Sequence, residues 1–125
     1  MVTAAPSVTA THPVATASAS SYTRRGHTVV ATSFEAAAGI DGLPGPALLV
    51  PDAGIAECVL DDGIDPVAML PGIAALAADG WEVFVLVPAA RMGIAHWDLR
   101  GCSALLQSWW PGPDESVQFG APQVP

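Results

Sequence analysis

The stretch Trp81-Glu82-Val83-Phe84-Val85-Leu86-Val87-Pro88 decides the fold of this 125-residue chain. Residues 83–87 are β-branched, aromatic or leucine without interruption, which is typical of a strand covered on both faces in the middle of an α/β sheet. The preceding segment, 65–79, has helical character and stops at Gly80. The following segment, 89–100, has the pattern of a second helix that stops at Gly101. The centre of the chain therefore predicts helix, tight turn, buried strand and helix.

Shorter apolar runs extend this pattern in both directions. Residues 28–32 predict a first strand and residues 34–38 a helical turn, while 47–51 and 55–60 are spaced as a hairpin around a short glycine-containing loop. Residues 103–110 and 116–120 predict a second hairpin, with helix as the competing prediction for 103–110. We therefore expect one α/β domain, with α+β as the alternative, spanning residues 26–125. It would contain a mixed sheet of about five to six strands and two principal helices.

Side-chain periodicity assigns faces to these elements. Met92, Ala95 and Leu99 fall on one side of the second helix and are predicted to face the core, whereas Ile94 and Trp97 fall roughly opposite. In the first hairpin the alternation places Glu57 on a face that we expect to contact water.

Proline residues define the start of the first principal helix. Asp65 and Pro66 are suited to the N-cap and first helical positions. Pro71, further along, removes a backbone hydrogen bond and collides with the preceding turn, so the helix either kinks there or starts anew near Pro71.

The N-terminal segment, residues 1–25, differs in composition from the rest. Its first 21 residues are mostly Ala, Thr, Ser, Val and Pro and carry no charged side chain. Small side chains of this kind bury little apolar surface to offset an ordering cost of roughly 1–2 kcal/mol per residue. We therefore predict a disordered tail over residues 1–25.

Charge narrows the classes of partner. The chain has 12 acidic residues against 4 arginines and no lysine, a formal net charge of −8. This acidity disfavours nucleic acid and anionic membrane surfaces as partners. No apolar segment is long enough to span a bilayer, and the first residues lack the features of a secretory signal, so we expect a cytoplasmic protein. The abundance of Ala, Gly and Pro suggests a GC-rich, bacterial genome.

Motifs for metal and cofactor chemistry are missing from the sequence. Cys58 and Cys102 belong to no paired metal spacing, and buried free thiols are the simpler interpretation, with a disulfide as the alternative. The aspartates at 61, 62 and 65 are explained by a turn and an N-cap. We predict no metal and no cofactor, and no catalytic residues are identified.

One ligand site is nevertheless suggested by position. Arg91 follows the carboxyl end of the predicted central strand, where open α/β sheets gather ligands near helix N-termini. An anion held there by Arg91 and the amides of residues 89–92, with Asp52 or His96 nearby, is the alternative function, as a small binding domain or enzyme.

The preferred hypothesis about function rests on the tryptophan residues. Ile94 and Trp97, together with Trp109 and Trp110 before a proline-rich turn, are predicted to form an exposed apolar surface of the kind that binds proteins. We therefore expect a non-catalytic interaction or regulatory module, possessing a protein partner or forming a homo-oligomer.

Overall fold

The computed structural model describes residues 12–125, which form six strands and four α-helices. The helices are α1 (Pro13–Arg24), α2 (Phe34–Ala38), α3 (Leu70–Ala78) and α4 (Met92–Asp98). The strands are β1 (Val30–Ser33), β2 (Pro46–Val50), β3 (Ile55–Val59), β4 (Glu82–Pro88), β5 (Ala104–Pro111) and β6 (Val117–Phe119). Short 3₁₀ helices, Pro66–Met69 and Ala89–Arg91, precede α3 and α4.

The six strands form one mixed sheet in the order of the sequence, β1-β2-β3-β4-β5-β6. Strands β3, β4 and β5 are mutually parallel, and the remaining neighbours pair antiparallel. The predicted buried strand, β4, is therefore flanked by parallel partners on both sides. This architecture confirms the predicted α/β domain with a mixed sheet, and both predicted hairpins are present.

Helices cover the two faces of the sheet unequally. Helices α2, α3 and α4 pack on one face around a large apolar cluster that includes Phe34, Met69, Leu76 and Leu106. Of the helices within residues 12–125, α1 is the one that packs on the other face, around a smaller cluster that includes Val14, Leu48, Val59 and Leu86. The described residues thus form a three-layer arrangement.

Helix α1 corrects the prediction of a tail. Residues 1–11 lie outside the described part of the chain, but residues 13–24 are helical, so the predicted disorder is wrong there. His12 caps the helix, because its Nδ1 accepts a hydrogen bond from the Val14 amide at 3.2 Å. Val14 and Ala15 are fully buried and Tyr22 is 9% exposed. A few buried apolar side chains therefore hold α1 against the sheet, although its amino-acid composition alone does not favour an ordered helix.

The local signals around α3 and α4 act largely as expected. The Asp65 carboxylate accepts a hydrogen bond from the Val67 amide at 3.0 Å, which caps a 3₁₀ helix, and the α-helix starts anew at Leu70 next to Pro71. Ala95 and Leu99 are fully buried. Residues 104–111 form a strand, which resolves the alternative between strand and helix. Within residues 12–125, no helix has the length and apolar character needed to cross a bilayer.

Candidate functional site

The outer side of helix α4 presents two exposed apolar side chains. Ile94 is 51% exposed and Trp97 is 66% exposed, while Ala95 and Leu99 of the same region are buried against the sheet. The guanidinium of Arg100 lies 4.1 Å from the centre of the Trp97 ring and donates a hydrogen bond to the Trp97 carbonyl at 2.7 Å. Ile94 and Trp97 together are called the α4 patch below.

The two other predicted tryptophans lie on strand β5. Trp109 packs against the cluster beneath α1, on the opposite face of the sheet from α4. Its indole N–H is buried and has no acceptor among the described residues. Trp110 is 41% exposed near the end of β5. Trp109 and the α4 patch therefore lie on opposite faces of the sheet.

Arg91 holds a loop together. One terminal nitrogen of its guanidinium donates hydrogen bonds to the carbonyls of Asp61, at 2.7 Å, and Ile64, at 2.8 Å. These contacts tie the segment after β3 to the segment after β4, at the edge where the parallel strands end. The predicted ligand role of Arg91 stays a prediction. Its two hydrogen bonds give it a structural role.

Asp52 and His96, which were predicted to lie near Arg91, have other partners. Asp52 lies in the β2–β3 turn, at the end of the sheet where the parallel strands begin. Its carboxylate pairs there with His27 Nδ1 at 3.1 Å. His96 Nε2 contacts the side-chain oxygen of Gln123 at 2.8 Å. The structure therefore does not gather Asp52 with Arg91.

Asp61, which follows β3 and contacts Arg91 through its carbonyl, also forms an ion pair. Its carboxylate lies 2.9 Å from His12 Nε2, just before α1. Partial burial opposes ionisation of Asp61, but hydrogen bonds from His12 and from the Asp62 amide, with the nearby Arg91 charge, lower the pKa of this carboxyl. The pair helps to attach the start of α1 to the body of the domain.

The most buried charged residue is Glu57, in the middle of β3. Glu57 is 3% exposed, because α1 covers it, so the expectation that it contacts water is wrong. One carboxylate oxygen accepts a hydrogen bond from the Ser18 hydroxyl, and the other accepts one from Tyr22 Oη at 2.9 Å. Both donors belong to the segment that was predicted to be a tail.

Burial dominates the electrostatics of this cluster. Removal from water raises the pKa of Glu57, although the hydrogen bonds from Ser18 and Tyr22 and the charge of Arg25 act in the other direction. Burial, together with the neighbouring charge of Glu57, also raises the pKa of the Tyr22 hydroxyl. A buried carboxyl with a perturbed pKa, beside a cavity, is a candidate functional group. The one weak signal for this cluster in the sequence is a glutamate within an otherwise apolar strand.

The two cysteines are free thiols rather than a disulfide. Cys58 is fully buried, its Sγ lies 3.6 Å from the Phe84 carbonyl, and burial raises the pKa of its thiol. Burial also raises the pKa of Cys102. Among residues 12–125, no three His, Cys, Asp or Glu side chains are grouped as metal ligands.

Comparison with protein-family models, with curated proteins and with solved structures finds no match to this chain.

Proposed function

We propose that this protein is a non-catalytic interaction module, regulatory or accessory in role, that binds a protein through the α4 patch. The observation that carries the proposal is the 66% exposure of Trp97 beside the 51% exposure of Ile94. Large aromatic and aliphatic side chains in contact with water cost free energy that a partner surface would recover.

The α4 patch is also held in place, which favours binding. Ala95 and Leu99 anchor the helix in the core, and Arg100 stacks on the Trp97 indole. A tryptophan that is ordered before binding loses little conformational entropy on association, and tryptophan and arginine are enriched among the residues that dominate interface energetics. The patch therefore has the composition and rigidity of an interface centre.

The partner we propose is a protein, either another copy of this chain or a different one. The formal charge of −8 supports this choice over nucleic acid or an anionic membrane. Two free thiols favour a reducing compartment, so we place the module in the cytoplasm of a bacterial cell.

Light scattering coupled to size exclusion tests the proposal. We expect the full chain to self-associate in a concentration-dependent way, and Trp97→Ala to weaken association by about tenfold or more with little change in melting temperature. Val30→Ala is the control, because Val30 is 44% exposed on β1, a different element. If the full chain stays monomeric, the partner that binds the α4 patch must be a different protein. If Trp97→Ala instead lowers the melting temperature and leaves the oligomer size unchanged, Trp97 supports the fold and the proposal is wrong.

A further inference from the structure

The other face of the sheet carries a cavity. A partly open cavity of about 180 Å³ separates the end of α1 from β3, β5 and β6, and Glu57 contributes to its wall. Arg25, Ser21, Gln107 and Phe119 also line it. It is remote from the α4 patch, because α4 packs on the opposite face of the sheet.

Glu57 gives this cavity a carboxyl group that has no ion-pair partner within the described residues, and a cation beside it would favour its ionised form. Ser18 and Tyr22 donate to its two oxygens, but no Arg or His of residues 12–125 lies within ion-pair distance of the carboxylate. Buried carboxylates are normally paired with a cation, and an unpaired one is costly. A cationic group of a ligand in the cavity would supply that partner.

Arg25 gives the same cavity a positive pole. Its Nε donates a hydrogen bond to the Ser21 carbonyl at 3.3 Å, and its guanidinium lies 4.7 Å from the centre of the Tyr22 ring. The two terminal nitrogens have no acceptor among the described residues. These nitrogens form the planar fork that binds a carboxylate through two parallel hydrogen bonds.

Neutral groups also line this cavity. The Gln107 side-chain nitrogen donates to the Gly120 carbonyl at 2.8 Å, which leaves its amide oxygen as an acceptor for a ligand N–H. The Ser21 hydroxyl is a further polar group of the wall, and Phe119 supplies an apolar surface. The cavity thus offers an anion, a cation, hydrogen-bonding groups and one aromatic side chain within a small volume.

We propose that this cavity binds a small zwitterion, namely an α-amino acid of the size of glycine, alanine or serine. The ligand ammonium pairs with Glu57 and Gln107, and its carboxylate pairs with Arg25. A simple amine is disfavoured by Arg25 and a simple carboxylate by Glu57, so the site prefers a molecule that carries both charges. A volume of about 180 Å³ accommodates a ligand of this size.

Isothermal titration of the full chain with alanine tests the proposal, at up to about 10 mM ligand because a Kd near 1 mM is then nearly saturated. Ethylamine and acetate are the single-charge controls. We expect alanine to bind and both controls to bind at least about tenfold more weakly. Arg25→Gln should lose alanine binding by a similar factor, since Arg25 is exposed and its replacement leaves the core intact. Arg24→Gln is the matched control, because Arg24 does not line this cavity.

Nuclear magnetic resonance adds a readout that does not depend on any variant. Alanine should shift the backbone amide signals of Ser21, Glu57 and Gln107 and leave those of α4 unchanged. Three results would overturn the proposal: no binding of glycine, alanine or serine, equal binding of acetate and alanine, or amide shifts confined to residues outside the cavity.

Discussion

Glu57 is the most buried charged residue among residues 12–125. Two hydroxyl donors stabilise its ionised form, but burial under α1 costs more, so its pKa in the folded state is raised above the ordinary glutamate value of 4.5. The charged or ionisable groups that act on it are Tyr22, within hydrogen-bond distance, and Arg25. Glu82 acts on Tyr22 from β4.

This raised pKa predicts a specific dependence of stability on pH. A group with a raised folded pKa contributes stability fully below its unfolded pKa, and the contribution is lost as pH rises through the folded pKa. As pH rises above about 5, the free energy of unfolding of the wild type should therefore fall more than that of Glu57→Gln. Urea unfolding at several pH values measures the difference. Glu82→Gln, which removes an exposed carboxylate, is the control and should follow the wild type. If the free energy of unfolding changes equally with pH in the wild type and in Glu57→Gln, the raised pKa of Glu57 is contradicted.

At the scale of elements, the contact between α2 and α3 depends on one glycine. A Cβ on Gly72 would collide with the ring of Phe34 and the side chain of Leu43. Phe34 is fully buried, so its ring has little space to move away. Gly72 therefore allows α3 to lie close to α2.

Gly72→Ala tests this contact, with Gly93→Ala as the matched control. Because overpacking a filled core strains its neighbours, we expect Gly72→Ala to lower the free energy of unfolding by about 1–3 kcal/mol. Gly93 lies in α4, and a Cβ there would meet nothing within 4 Å. Gly93→Ala should therefore stabilise the protein by about 0.5–1 kcal/mol through helix propensity. Chemical denaturation measures both, and equal effects would show that α2 and α3 tolerate a wider separation.

Elements with local signals could be predicted from the sequence, and α1 could not. Strand β4 has an uninterrupted apolar run, and the start of α3 has Asp65, Pro66 and Pro71, so their types follow from adjacent residues. Helix α1 consists mainly of alanine, serine and threonine, and what stabilises it is docking on β2, β3 and β4. These contacts join residues that are far apart in the sequence, so no short stretch of sequence reveals them. The Glu57 cluster was missed for the same reason, because Ser18 and Tyr22 lie 39 and 35 residues from Glu57.

At the scale of the whole molecule, the topology separates two surfaces. The parallel connections β3-α3-β4 and β4-α4-β5 follow a fixed handedness, so both helices lie on one face of the sheet. The α4 patch is on the outside of that helical layer, and the Glu57 cavity lies beneath α1 on the other face. A protein bound to α4 and a small ligand bound at Glu57 would not compete for the same atoms.

Net charge distinguishes the two kinds of protein partner for the α4 patch. Two copies of this chain carry a formal charge of −8 each and repel one another, while an apolar contact between them is insensitive to modest salt. The Debye length falls from about 30 Å at 0.01 M salt to about 8 Å at 0.15 M. Self-association should therefore strengthen over this range, whereas association with a basic protein should weaken. Light scattering across the two salt concentrations measures this self-association, with Trp97→Ala as the variant expected to associate more weakly at both. A dimer that dissociates as salt is added would show that ionic attraction holds it together, and a different surface would then have to be its interface.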